Sequence, residues 1–145
     1  MLINNNLKPC RENLEMTQEE LGYVLGVTKG TVANWENGND SIPLRQVVKI
    51  CNQYDFSVDY ILGISRANKQ YSKILKLDKS NIGKMIKQLR EKLDYSQSVF
   101  AKECGIAQST LSLYETGKRL ISTLTLQIIC TKFNVSADDL LGRKK

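Results

Sequence analysis

Histidine is absent from all 145 residues. With it go Ser–His and Cys–His nucleophiles, histidine general bases and histidine-ligated metals. Only two prolines and nine glycines are present, too few breakers for a turn-rich β fold. No apolar run approaches the ~18 residues that a membrane span needs. The opening MLINNNLKPC lacks the basic stretch and apolar core of a secretory signal, so no membrane partner and a cytoplasmic location are expected. Cys10, Cys51, Cys104 and Cys130 form no CxxC pair and read as four reduced core cysteines. No paired carboxylates, phosphate loop or metal-ligand spacing is visible, so no catalytic residue, cofactor or metal site is expected. The protein is not expected to be an enzyme.

What is present is a globular composition, 41% hydrophobic and 25% charged. The length suits one ordinary domain or two very small ones. The net charge of +6 is unevenly spread. Residues 1–63 carry 5 basic and 8 acidic groups (−3), 64–79 carry 5 and 1 (+4), and 80–145 carry 11 and 6 (+5). A basic half with a basic connector favours a polyanionic partner.

Sliding the chain against itself exposes a gapless repeat. Arg11-Glu12-x-Leu14 returns as Arg90-Glu91-x-Leu93, Gln18 as Gln97, Gly26 as Gly105, Thr31 as Thr110 and Glu36-x-Gly38 as Glu115-x-Gly117. Ile42, Ile50, Cys51, Ser57, Asp59, Leu62 and Gly63 return as Ile121, Ile129, Cys130, Ser136, Asp138, Leu141 and Gly142. Positions 4–66 thus match 83–145 at 16 of 63 places, counting Lys8 and Lys87. Each copy, about 60 residues, lies near the lower limit for folding alone. All four cysteines fall on apolar slots of this alignment.

Each copy reads as short helices. Thr17 and Glu20 form a capping box that starts a helix at 17, and Gly26 stops it. Thr28 caps the next helix, with Val32 and Trp35 inward. Pro43 suits the first turn of a fourth helix that turns Val47, Ile50, Cys51 and Tyr54 inward. Ser57 caps a last short helix. Ser96, Ser122 and Ser136 repeat the caps, while Ala107 leaves one missing. Pro9 must lie in the first turn of the first helix.

Two short helices joined by a glycine turn form a helix-turn-helix, whose second helix can enter a major groove. Thr17-Gln18-Glu19-Glu20-Leu21-Gly22, Gly26-Val27-Thr28 and Val32-Ala33-Asn34-Trp35-Glu36-Asn37-Gly38 together resemble the Cro/phage-repressor-like (Xre-like) helix-turn-helix family. Ser96-Gln97, Phe100-Ala101 and Gly105 through Lys118 resemble a second member. The tails Phe56 to Gly63 and Val135 to Gly142 are similar to that family's fifth helix. The resemblance implies an all-α chain: two lambda-repressor-like five-helix domains, at 1–64 and 80–145. It also implies sequence-specific duplex DNA binding, usually repressive.

Carried over by position, the resemblance makes Lys29, Gly30 and Asn34 base readers in copy one, and Gln108, Ser109 and Leu113 in copy two. Lysine can donate to guanine, and asparagine or glutamine can pair with adenine. Phosphate contacts fall to Gln18 and Asn37, and to Gln97, Thr116, Lys118 and Arg119. Copy one has Asn39-Asp40 where copy two has Lys118-Arg119. Arg11 with Glu36, and Arg90 with Glu115, are expected as buried structural ion pairs.

Between the copies lies a basic linker, residues 65–79, in which Ile64, Tyr71, Ile74, Leu75 and Leu77 suggest a short, partly helical amphipathic stripe. About 16 residues reach about 53–58 Å fully extended, against about 34 Å between adjacent half-sites, so one chain can span two. The expected partner is double-stranded DNA, with a homodimer or a regulatory protein partner left open. The alternative is a protein-interaction module, such as an antitoxin-like or anti-repressor partner, which the acidic first copy favours.

Overall fold

The structure, a computed structural model, describes residues 4–143; the outermost ends of both expected domains lie outside the described residues. The chain divides between Gln70 and Tyr71 into two compact units, each with five helices among the described residues. The first holds α1 (Leu7–Asn13), α2 (Gln18–Leu25), α3 (Lys29–Glu36), α4 (Leu44–Tyr54) and α5 (Val58–Ile61). The second holds α6 (Lys79–Lys92), α7 (Gln97–Cys104), α8 (Gln108–Glu115), α9 (Thr123–Phe133) and α10 (Ala137–Leu140). Among the described residues there is no strand, and no helix is long and apolar enough to cross a membrane.

Local chemistry explains the boundaries. The Thr17 hydroxyl accepts from Glu20 N while Glu20 accepts from Thr17 N. Thr28, Ser57, Ser96, Ser122 and Ser136 each accept from the backbone N–H three residues on. Ala107 offers no cap. Gly26 and Gly105 both adopt φ 71°, the left-handed conformation that ends α2 and α7. Pro9 lies in the first turn of α1, but Pro43 is the cap residue, not the first helical residue, of α4: its ψ of 138° is extended.

The two cores are built on equivalent positions with compensating volumes. Leu21 and Leu25 are replaced by the larger Phe100 and the smaller Cys104; Val32 and Trp35 are replaced by Leu111 and Tyr114. All eight are buried, as packing near crystal density requires. Cys10, Cys51, Cys104 and Cys130 are all buried in these cores. Burial pushes the Cys10 thiol up to about 12 and the Cys104 thiol up to about 11, which leaves neither ionised near neutrality.

The expected linker helix does not form. Residues 65–78 are irregular, and of the segment 65–79 only Lys79 is helical. Its apolar pattern runs with period two, not 3.6: Ile74 is exposed, Leu75 buried, Lys76 exposed and Leu77 half-buried. The segment also divides its attachments. Asn68 accepts from Ser57 N and donates to Asp55 O in the first unit. The Tyr71 ring lies 4.6 Å from the Arg143 guanidinium in the second, and Arg143 in turn donates to the buried Asp138.

A second difference lies in the first helix of each copy. α6 has 14 residues and α1 only 7. Asp78 caps the longer helix by accepting from Ser80 N and Asn81 N. Its glycine, Gly83, passes so close to α8 that a Cβ there would stand 2.3 Å from the carbonyl oxygen of Tyr114. In the first unit a side chain does this work instead: Asn5 donates to Trp35 O at 2.8 Å.

Candidate nucleic-acid interface

In both units the second and third helices meet through a three-residue turn, residues 26–28 and 105–107. Val27 N donates to Gly22 O at 2.8 Å, and Ile106 N to Ala101 O at 3.0 Å. A Cβ on Gly22 would lie 2.7 Å from Val27 O, so the first unit's turn sits closer on its helix than Ala101 permits in the second. Val32 and Trp35, like Leu111 and Tyr114, hold the third helix to the core by its inner face. The outer face is free. Lys29, Gly30 and Asn34 are exposed in α3, and Gln108 and Ser109 in α8; Leu113 is half-buried.

The third helices are fixed from behind by one carboxylate each. Glu36 accepts from Arg11 Nε (2.6 Å), Arg11 Nη2 (3.1 Å) and Gln18 Nε2 (3.0 Å). Glu115 accepts from Arg90 Nε (2.7 Å), Arg90 Nη2 (3.1 Å) and Gln97 Nε2 (3.0 Å). Each arginine also donates from Nη1 to the carbonyl just before the second helix, Met16 or Tyr95. The glutamate side chains are only 2% and 3% exposed, so these are buried charge-assisted bonds. Hydrogen bonding to the carboxylate holds both arginines above their ordinary pKa. One node thus joins the first helix, the start of the second and the end of the third.

The node changes what Gln18 and Gln97 offer. Each amide spends one Nε2 hydrogen on the carboxylate and keeps one. The first backbone N–H groups of α2 and α7 lie beyond any intrahelical partner, a setting that suits an anion. Sequence reasoning missed this pairing, although the repeat conserves both glutamines together with the arginine and the glutamate.

Beyond the third helix, Asn37 and Thr116 occupy the cap positions, both exposed. The Thr116 hydroxyl donates to Ser112 O at 2.8 Å. Lys118 and Arg119 are exposed, yet their backbone N–H groups both donate to Leu113 O. Asn39 and Asp40 do the same to Asn34 O. Only the side chains of this turn face outward, and there the units diverge: two cations in the second, an amide and a carboxylate in the first.

The longer α6 adds a cation that the repeat could not reveal. A Cβ on Gly117 would lie 2.8 Å from Ser80 Cα and 3.4 Å from the Lys79 carbonyl carbon. The backbone at Lys79 therefore passes beside the turn that carries Lys118 and Arg119, and among the described residues none of the three has an ion-pair partner. At the start of the second helix the contrast recurs: Glu19 and Glu20 in α2, Ser98 and Val99 in α7. Among the described residues no cluster of histidine, cysteine, aspartate or glutamate could hold a metal ion.

Comparison with known proteins agrees with this geometry. A family model described as helix-turn-helix matches residues 7–61 and again 86–140. The antitoxin PezA of Streptococcus pneumoniae serotype 4 is 48% identical over 64 residues, 44% of this chain and 40% of that protein. The HTH-type transcriptional regulator ImmR of Bacillus subtilis is 38% identical over 63 residues, 43% of this chain and 50% of its own length. YazB of Bacillus subtilis, an uncharacterized HTH-type transcriptional regulator, is 38% identical over 63 residues, 43% and 91% of the two chains. The chain spans about half the length of most of these relatives.

Proposed function

The chain belongs to the helix-turn-helix family of Cro- and phage-repressor-like domains, in two tandem copies, and from that premise we propose that it is a sequence-specific DNA-binding transcriptional regulator, acting as a repressor in the cytoplasm. Two domains, in residues 1–64 and 80–145, read adjacent half-sites of one duplex. The observation that carries this reading is the face of the second unit. There α8 presents an exposed start with uncapped N–H groups, and the turn beyond its other end carries the cations Lys118 and Arg119, with Lys79 on the neighbouring backbone, none of them ion-paired among the described residues.

Base reading falls to Gln108, whose amide can pair with adenine, to Ser109, and to Leu113, whose exposed edge suits a thymine methyl. In the first unit Lys29 suits guanine and Asn34 adenine, while Gly30 lets the backbone approach. Phosphates are met by Lys118, Arg119, Lys79, the remaining amide hydrogens of Gln18 and Gln97, and Asn37, while Thr116 must first turn its hydroxyl away from Ser112 O to donate. The first unit, with Glu19, Glu20 and Asp40 at the matching places, binds backbone more weakly. Selection of bound duplexes from a random pool tests this: enrichment of one motif with two half-sites supports it, and retention without any enriched sequence refutes it.

A second reading, a protein-interaction module, is favoured by those same three carboxylates. A stoichiometric protein partner together with no DNA retention would select it.

A further inference from the structure

Tyr23, 89% exposed, and Ile74, 71% exposed, are the two most exposed large apolar side chains among the described residues. Neither belongs to the interface above. Tyr23 stands on the face of α2 that points away from the buried Leu21, Gly22 and Leu25. With Met16, Thr17, Glu19, Glu20 and Val24 it lines a shallow groove. Two carboxylates therefore border an apolar floor. Lys49 reaches its edge, where Nζ donates to Val24 O at 3.0 Å.

The second unit has closed the same place. Tyr95, in the position of Met16, packs on Phe100 and Phe133. Lys102 stands where Tyr23 does, and Glu103 is paired with Lys132. The groove is thus a property of the first unit alone and not of the repeat.

Ile74 shows the converse pattern. Leu75 beside it is buried, so Ile74 projects outward, with exposed Lys73 and Lys76 on either side. Among the described residues neither lysine has an ion-pair partner. One apolar knob is bordered by cations, and one apolar groove is bordered by carboxylates.

We propose that the two are halves of one contact between copies of this chain: the groove around Tyr23 receives the Lys73–Lys76 segment of a second copy. Ile74 covers Tyr23 and Met16, and the flanking lysines face Glu19 and Glu20. The two surfaces differ, so association runs head to tail, and each added copy leaves one groove and one knob free. A groove of six residues is well below a standard interface, so the contact is weak in free solution. It gains where copies are concentrated, as on neighbouring sites of one duplex. Opposite charge across it makes it sensitive to salt.

Sedimentation equilibrium of the full chain over a concentration series, without DNA, tests this. Reversible self-association is expected at low salt and its loss at high salt. Glu19→Lys and Lys73→Glu should each weaken association about three- to tenfold. The chain carrying both substitutions should regain it, because the charges are exchanged across every contact. Glu19 takes no part in the capping box, and the exposure of Tyr23 and Ile74 keeps their replacement from disturbing either core. Tyr23→Ser and Ile74→Ser chains should each stay monomeric, and their equimolar mixture should stop at a one-to-one pair. A chain that is monomeric at every concentration overturns the proposal. So does association indifferent to the single substitutions, or a charge-exchanged chain that fails to recover. None of these outcomes depends on whether the protein reads DNA.

Discussion

Replacing Glu115 by Ala removes the acceptor of three charge-assisted hydrogen bonds at once. Arg90, with its side chain only 12% exposed, would keep its charge and one bond to Tyr95 O. Stranding one member of a buried pair costs about 3–5 kcal/mol. A unit of about 75 residues has a total stability of about 4–11 kcal/mol, so this one change removes about a quarter of it or more. At about 4–8 °C per kcal/mol for a domain of this size, the melting point of the second unit should fall by about 12–40 °C. The single tryptophan, Trp35, is buried in the first unit. Its fluorescence follows the first unit alone, while far-ultraviolet circular dichroism follows both. The variant should shift the dichroism transition and leave the Trp35 transition in place. Arg90→Met combined with Glu115→Leu strands no charge and should cost less than Glu115→Ala alone. A loss below about 1 kcal/mol for Glu115→Ala would refute the argument, because the pair would then behave as a solvent-screened one.

Gly22→Ala should destabilise the first unit by about 1–3 kcal/mol through overpacking against Val27 O, read from the Trp35 transition; an unchanged transition would show that the turn yields freely. Glu20 accepts the Thr17 N–H, which holds its carboxyl below the ordinary glutamate value. Its contribution to stability is therefore complete above the unfolded pKa and lost as pH falls through the lowered folded one. A carboxyl carbon titration by NMR should place its midpoint below those of unstructured glutamates, and Glu20→Gln should flatten the acid limb of stability. In DNA binding, Gln108→Ala should cost about 1–3 kcal/mol on the preferred site and relax one base position. Lys118→Ala should weaken all sequences alike and lower the salt slope by about 1. The reverse pattern would misplace the reading helix.

The helices were legible in the sequence because their signals are local. A threonine or serine three residues before its bonding partner, the glycines that stop α2 and α7, and apolar residues at helical spacing each need only neighbours. The repeat supplied a second copy of most of these signals, the cap at Ala107 excepted. The contact between Arg11 and Glu36, 25 residues apart, was legible only through the family resemblance. Its third member, Gln18, was not, because a glutamine at a helix start equally suits a phosphate. Lys79 was invisible for another reason: it precedes the aligned segment, and only the longer α6 brings its backbone beside the turn that carries Lys118. In the linker, five apolar residues suggested a stripe, but so short a segment fits a two-residue period as well, and burial of Leu75 decided between them.

The same fold thus occurs twice on one chain with different side chains at every proposed reading position: Lys29 against Gln108, Gly30 against Ser109, Asn34 against Leu113. A repressor assembled from two identical subunits brings identical reading helices, so its target must be a palindrome. Covalent fusion lifts that requirement, since the two halves need not carry the same residues. The target of such a chain is expected to be a directional sequence, with a left and a right that are not interchangeable.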